Sequence, residues 1–231
     1  MREAGPTGRG SDVLELDIGA GALEVVCLGA HPDDIEIGCG GTLLRLAQRP
    51  GTTVDALVLT GTPDRVRESE KALEQLCPGT RPACAGLPDG RLPEHWGEVK
   101  QALEDLADER SPHVVLAPRA DDAHQDHRLL GQLVSTVWRD ALVLHYEIPK
   151  WDADLRPPTH YVPLDEATAR RKFEVLDSCF PSQHGRDWWD EETFLGLMRL
   201  RGVECRARYA EGFHAAKVLV GLGAPAREAA S

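Results

Sequence analysis

The strongest constraint on the fold is a rhythm in which short apolar runs alternate with stretches of helical spacing. The runs lie at residues 23–29, 54–59, 113–117 and 142–146. Between them, Leu43, Leu46 and Ala47 share one helical face, and Val66, Ser69, Leu73 and Leu76 another. Trp96, Val99, Leu103 and Leu106 form a third, and Leu130, Leu133, Val134 and Val137 a fourth. Pro50-Gly51 and Pro78-Gly79 stop the first two helices. Runs this short and this largely apolar read as buried strands. Their alternation with helices predicts an α/β fold, a doubly wound, mainly parallel sheet with helices on both faces. Right-handed crossovers are then the default topology.

The remaining segments are read around this frame. Residues 1–22 form a flexible lead-in, with an alternating stretch at 13–18 that suits a short edge strand. Residues 80–93 are Pro- and Gly-rich, a loop with one short strand through 83–85. The Pro-rich segment 147–164 is expected to be a long loop bordering the site, since loops of this length in compact domains tend to be functional. Helices follow at 165–178 and 190–200, and a last strand is expected at 215–220. Residues 23–220 read as a single domain and 221–231 as a loose tail. The polar and aromatic stretches Ser182-Gln183-His184, Trp188-Trp189 and Tyr209-Ala-Glu211 are expected to shape an acceptor pocket.

Composition narrows the function classes. The formal net charge of −12 over 231 residues argues against a nucleic-acid partner, which requires a basic face. No apolar run approaches the ~20 residues of a membrane span, and the first ten residues lack the apolar core of a signal peptide. Six cysteines without a C-x-x-C pair fit reduced thiols in a cytoplasmic protein, with Cys39 structural. Nucleotide-binding, zincin and nucleophile-elbow motifs are absent. The first strand-to-helix turn carries two carboxylates where a dinucleotide would need glycines, so a pyrophosphate is disfavoured there.

Chemistry concentrates in two places. His31-Pro32-Asp33-Asp34 follows the first core strand, and His124-Gln-Asp126-His127 follows the run at 113–117. Loops at the carboxyl ends of neighbouring parallel strands meet in one crevice. Two like charges and an imidazole within four residues repel unless a positive group lies between them, and a divalent metal is the simplest candidate. Together the motifs offer more donors than a structural zinc needs, which favours catalysis over structure. An Asp-Asp turn can also serve as a helix cap, and a lone His at a strand end as a surface residue. The pair of motifs at equivalent strand ends is the specific signal.

These motifs, with Glu36 and Gly38-Cys-Gly-Gly-Thr42, resemble the LmbE/PIG-L family of zinc-dependent N-deacetylases. The resemblance extends loosely over residues 24–220. It implies a Rossmann-like fold and a Zn²⁺ held by His31, Asp34 and His127; Fe²⁺ also suits such a two-histidine, one-carboxylate set. It also implies Asp33 as general base, His124 as oxyanion stabiliser or acid, and Asp126 as the group that orients a neighbouring imidazole. Arg67 and Asp89 match positions that touch the sugar in relatives. The expected activity is removal of an N-acetyl or related N-acyl group from a small aminosugar-containing molecule, in a chain that can form homo-oligomers. An amidase cutting a larger thiol conjugate from an aminosugar, and a non-catalytic sugar- or metal-binding relative, are the alternatives.

Overall fold

The computed structural model describes residues 15–220. Its strands are β1 (Glu24–Gly29), β2 (Thr53–Thr60), β3 (Pro82–Leu87), β4 (Val114–Pro118), β5 (Leu142–Tyr146), β6 (His160–Leu164) and β7 (Tyr209–His214). Its helices are α1 (Asp34–Leu46), α2 (Pro63–Leu76), α3 (Trp96–Glu109), α4 (Gln125–Val137), α5 (Glu166–Cys179) and α6 (Glu191–Glu204). The strands form one sheet in the order β3-β2-β1-β4-β5-β7-β6. Strands β1 to β5 pair in parallel, and β7 runs antiparallel to both β5 and β6.

Alternation along the central strands sends side chains to two cores. Val25 and Cys27 pack with Leu116, Tyr146 and Phe213 beneath α1, α2 and α5. Val26 and Leu28 pack with Leu57, Leu59, Val115 and Ala117 beneath α3 and α4. The doubly wound α/β fold with helices on both faces is thus the observed one. Strand order reverses between β1 and β4, the place where such sheets open a crevice at their carboxyl edge.

Three expectations for strands need correction. Residues 15–18 form no strand, and Leu16 and Ile18 lie exposed; residues 13 and 14, like the expected ends 1–12 and 221–231, lie outside the described residues. The expected loop 147–164 ends in β6, an edge strand that tolerates Pro163 because only one side pairs. The final strand is β7 at Tyr209–His214, whereas residues 215–220 form none. The apolar run Val218–Val220 drew the strand assignment, but its side chains are exposed. Glu211 and Gly212 had hidden the true strand.

Helix α1 is kinked at Cys39, whose backbone leaves helical values at φ −143° and ψ 20°. An unbroken helix would bond the Gly41 N–H to the Ile37 carbonyl. Here two buried side chains stand in that gap. Glu211 of β7 accepts from the Gly41 and Thr42 N–H groups at 2.7 Å each and from Thr42 Oγ1 at 2.6 Å. Lys172 of α5 donates to the Ile37 carbonyl at 2.6 Å and to Glu211 Oε1 at 2.7 Å. Side-chain insertion into the ladder accounts for the kink. The Cys39 thiol is buried and donates to the Ile35 carbonyl at 3.1 Å. At Gly38 a Cβ would overlap the ring of Tyr146, whose hydroxyl donates to the Leu28 carbonyl at 2.6 Å. This contact seats α1 against the end of β1.

Candidate metal centre and active site

Strand β1 ends at the switch point and the chain turns sharply into α1. Asp33 occupies the N-cap position of α1 with φ 121°, a conformation that non-glycine residues rarely adopt and that costs roughly 1–3 kcal/mol. Thr60 fastens the turn, its N–H and Oγ1 both bonded to the Ala30 carbonyl at 3.0 and 2.7 Å. The turn directs His31, Asp33 and Asp34 to the loop after β4. There His124 caps α4, accepting the Asp126 N–H at its Nδ1 over 3.3 Å. Asp126 and His127 follow on the first turn of α4.

The two motifs meet at the imidazoles. His31 Nδ1 lies 3.0 Å from His127 Nε2, and the Asp34 carboxylate lies 3.5 Å from the first and 3.3 Å from the second. Asp34 Oδ2 also accepts the His31 N–H at 2.8 Å, which fixes its carboxylate. The far nitrogen of each imidazole faces an acid. His31 Nε2 is 3.3 Å from Asp126 Oδ2 and 3.1 Å from Asp89 Oδ1. His127 Nδ1 is 3.3 Å from Asp122 Oδ2, an ion-pair distance without the alignment of a good hydrogen bond. Asp126 is itself held by the N–H groups of Gly90 (2.8 Å) and Leu92 (3.1 Å). His124 completes the group, with one ring nitrogen of each histidine within 4.8 Å of the others.

Electrostatics follow from this packing. Burial opposes charge on Asp34, but the His127 and His31 imidazoles overcome it and hold the carboxyl well below its usual range. Burial also opposes the cationic imidazoles, yet Asp34 and then the outer acids raise His31 well above its usual value and His127 to about 9. Burial pushes the Asp33 carboxyl up to about 7, against the pull of Arg65. His124 goes down, through burial and then the neighbouring His127 and His31. It therefore stays neutral near pH 7, and with Nδ1 accepting from the backbone its proton sits on Nε2. An imidazolium is not the form of His124 that this site favours.

The donor set suits a divalent ion. Carboxylates behind His31 Nε2 and His127 Nδ1 favour protons there, so the two nitrogens that face each other are the ones a metal would claim. Between the raised imidazoles a proton fills the 3.0 Å gap beside the Asp34 carboxylate, and a divalent ion would take that proton's place. Ligands about 2.0–2.1 Å from a tetrahedral ion are about 3.3 Å apart, close to the separations here.

Of the eight expected site residues, seven converge and one does not. Asp89 sits at the mouth, its side chain mostly exposed while it reaches His31. Arg67 points away and pairs with Asp64 on the exposed face of α2. Arg65, two residues earlier and so on another face of the helix, meets Asp33 Oδ2 at 2.6 Å and also bonds the Pro32 carbonyl. Glu36 turns inward to Ser69 of α2. Among the stretches expected to shape the pocket, Glu211 serves the kink in α1 and Trp189 packs in the core with Phe180 and Phe194. Sequence reading missed Asp122 and Lys150, whose Nζ lies 3.0 Å from Asp122. An acid two residues before His124 was a usable signal for Asp122. Lys150 had none, because its position depends on the pairing of β5 with β4.

The chain is also similar to known proteins. The profile described as PIG-L, GlcNAc-PI de-N-acetylase, matches residues 26–138, from β1 through α4. The uncharacterized deacetylase YaiS of Escherichia coli is 36% identical over 139 residues, covering 54% of this chain and 74% of its own. The diacetylchitobiose deacetylase of Thermococcus kodakarensis is 28% identical, over 82% of this chain and 81% of its own. Among solved structures, the conserved protein TT1542 of Thermus thermophilus superposes with a TM-score of 0.68 at 27% identity, covering 88% of this chain and all of its own. Family profile, relatives and the two motifs at the switch point agree: this chain belongs to the PIG-L family of de-N-acetylases.

Proposed function

We propose that the protein is a metal-dependent hydrolase that removes an N-acetyl group from an aminosugar-containing small molecule. One observation carries this: His31 Nδ1 and His127 Nε2 face each other at 3.0 Å beside Asp34, with an acid behind each ring. Those three side chains would hold the ion, with zinc the first choice and Fe²⁺ compatible with a two-histidine, one-carboxylate set. A divalent ion bound there supplies Lewis acidity, polarising an amide carbonyl and lowering the pKa of water to roughly 7.

The other residues divide the proton work. Asp33 is the base: its carboxylate takes the proton of the attacking water, while Arg65 holds Oδ2 and leaves Oδ1 free. His124 presents Nε2–H as a neutral donor for the carbonyl oxygen as it gains negative charge. Asp126 and Asp122 hold His31 and His127 in the tautomers that turn their lone pairs inward. Asp89 at the mouth accepts from a sugar hydroxyl, and Arg65 takes the place expected for Arg67.

An aminosugar substrate is supported by the relative named for diacetylchitobiose and by the acidic chain, which suits a cationic amine product. The test is acetate release from N-acetylglucosamine and N,N′-diacetylchitobiose, before and after chelation and again after zinc or Fe²⁺ is restored. Release abolished by the chelator and restored by metal supports the assignment. Release that survives chelation removes it.

A further inference from the structure

Trp151 is one of the most exposed large apolar side chains, at 64% exposure, yet it is held from several directions. Its Nε1–H donates to Asp187 Oδ1 at 3.0 Å. Its ring meets Trp188 edge-on with centroids 6.1 Å apart, and the Arg186 guanidinium carbon lies 5.8 Å from its centroid. A lone exposed aromatic on a surface needs no explanation. One fixed in orientation is a preorganised surface that loses little entropy on binding.

Its neighbours in sequence place it beside the site. Lys150 Nζ lies 3.0 Å from Asp122, the acid that faces His127, and 2.9 Å from Asp154 Oδ1. Asp154 Oδ2 in turn accepts the Ala123 N–H at 2.8 Å, and its carbonyl accepts from Arg119 at 2.8 Å. Residues 150 and 154 are therefore both tied to the loop that carries His124 and His127, and Trp151 lies between these ties. The segment leaves the carboxyl end of β5, the same edge of the sheet as the metal-ligating turn.

We propose that Trp151 is a stacking platform for a second saccharide ring, the one joined to the aminosugar whose acetyl group is removed. This rests on the aminosugar reading above and adds a subsite to it. The exposed indole surface suits the C–H face of a pyranose. Asp187 beside Nε1 and Arg186 over the ring offer an acceptor and donors for ring hydroxyls. A sugar fits this combination better than a wholly apolar group, which could not use the second Asp187 oxygen or the terminal N–H groups of Arg186.

Two probes and two readouts test it. Trp151→Ala should lower kcat/KM for N,N′-diacetylchitobiose about tenfold, mainly through KM, and leave N-acetylglucosamine within about twofold. Trp151→Phe should keep most of the preference, since the ring face remains. Calorimetric titration of the metal-free protein with the disaccharide should show the same loss of affinity in Trp151→Ala without any turnover. Equal losses on both probes, or no loss on either, would overturn the platform while leaving the deacetylase reading in place. If neither sugar is turned over but disaccharide binding still depends on Trp151, the deacetylase reading fails and the platform stands.

Discussion

Removing Glu211 should destabilise the protein far more than its place on a strand next to the sheet edge suggests. Glu211→Ala takes the acceptor from three donors and leaves Lys172 buried, its side chain 4% exposed, without a counter-charge. Breaking a buried pair in this way costs about 3–5 kcal/mol. Lys172→Met is milder, because Glu211 keeps its three donors in α1. The cost there is about 1–3 kcal/mol, from the unpaired Ile37 carbonyl and the lost charge-assisted bond. The double variant leaves neither charge stranded, so its cost should fall short of the sum by at least about 1 kcal/mol. Urea unfolding at pH 7 with chelator present measures all three, since bound metal would add stability by mass action. Costs that add to within about 0.5 kcal/mol would refute the idea that these side chains act as one unit in the broken ladder.

Other expectations concern the site and its surroundings. Asp33→Asn should retain the metal and slow turnover by about 10²–10⁴-fold, and loss of metal along with activity would make Asp33 a ligand. Arg67→Ala should leave kcat/KM within about twofold of the parent whereas Arg65→Ala lowers it clearly, and the reverse order would restore Arg67 to the site. His145 is buried, and burial holds its pKa below the usual 6.5 although its Nδ1 bonds the Pro118 carbonyl. The unfolded chain then takes up this proton first, so stability is full above about pH 6.5 and declines as pH falls toward the folded value. His145→Gln should flatten that part of a urea-midpoint profile, and an unchanged slope would exclude His145 as its source.

Much of the parallel half of the molecule was legible in the sequence because its signals are local. Apolar runs of about four to seven residues and helical spacing between them do not depend on distant partners. So β1, β2, β4, β5 and the intervening helices lie close to where the pattern puts them. The antiparallel edge was not legible. β7 carries a buried Glu211 whose cost is offset by Lys172, 39 residues away, and by the backbone and Thr42 hydroxyl of α1. A local reading passed over it for the apolar but exposed run at Val218–Val220. The site shows the same division. His31, Asp34, His124, Asp126 and His127 belong to two short motifs, and parallel strand ends bring such motifs together. Arg65 and Arg67 differ only in helical phase, which the start of α2 at Pro63 decides. Lys150 reaches Asp122 through tertiary packing alone.

The central claim is the identity of the metal ligands, and it is tested most directly by locating the ion. Anomalous scattering from crystals of the zinc-loaded protein, collected at the zinc edge, should show one ion about 2.0–2.2 Å from His31 Nδ1, His127 Nε2 and an Asp34 oxygen. The nearby donors offer two specific alternatives, the three histidines and the set of His31, Asp89 and Asp126. An ion bound by either of those sets, with Asp34 outside bonding distance, would contradict the assignment and the division of labour between Asp33 and Asp34 that depends on it.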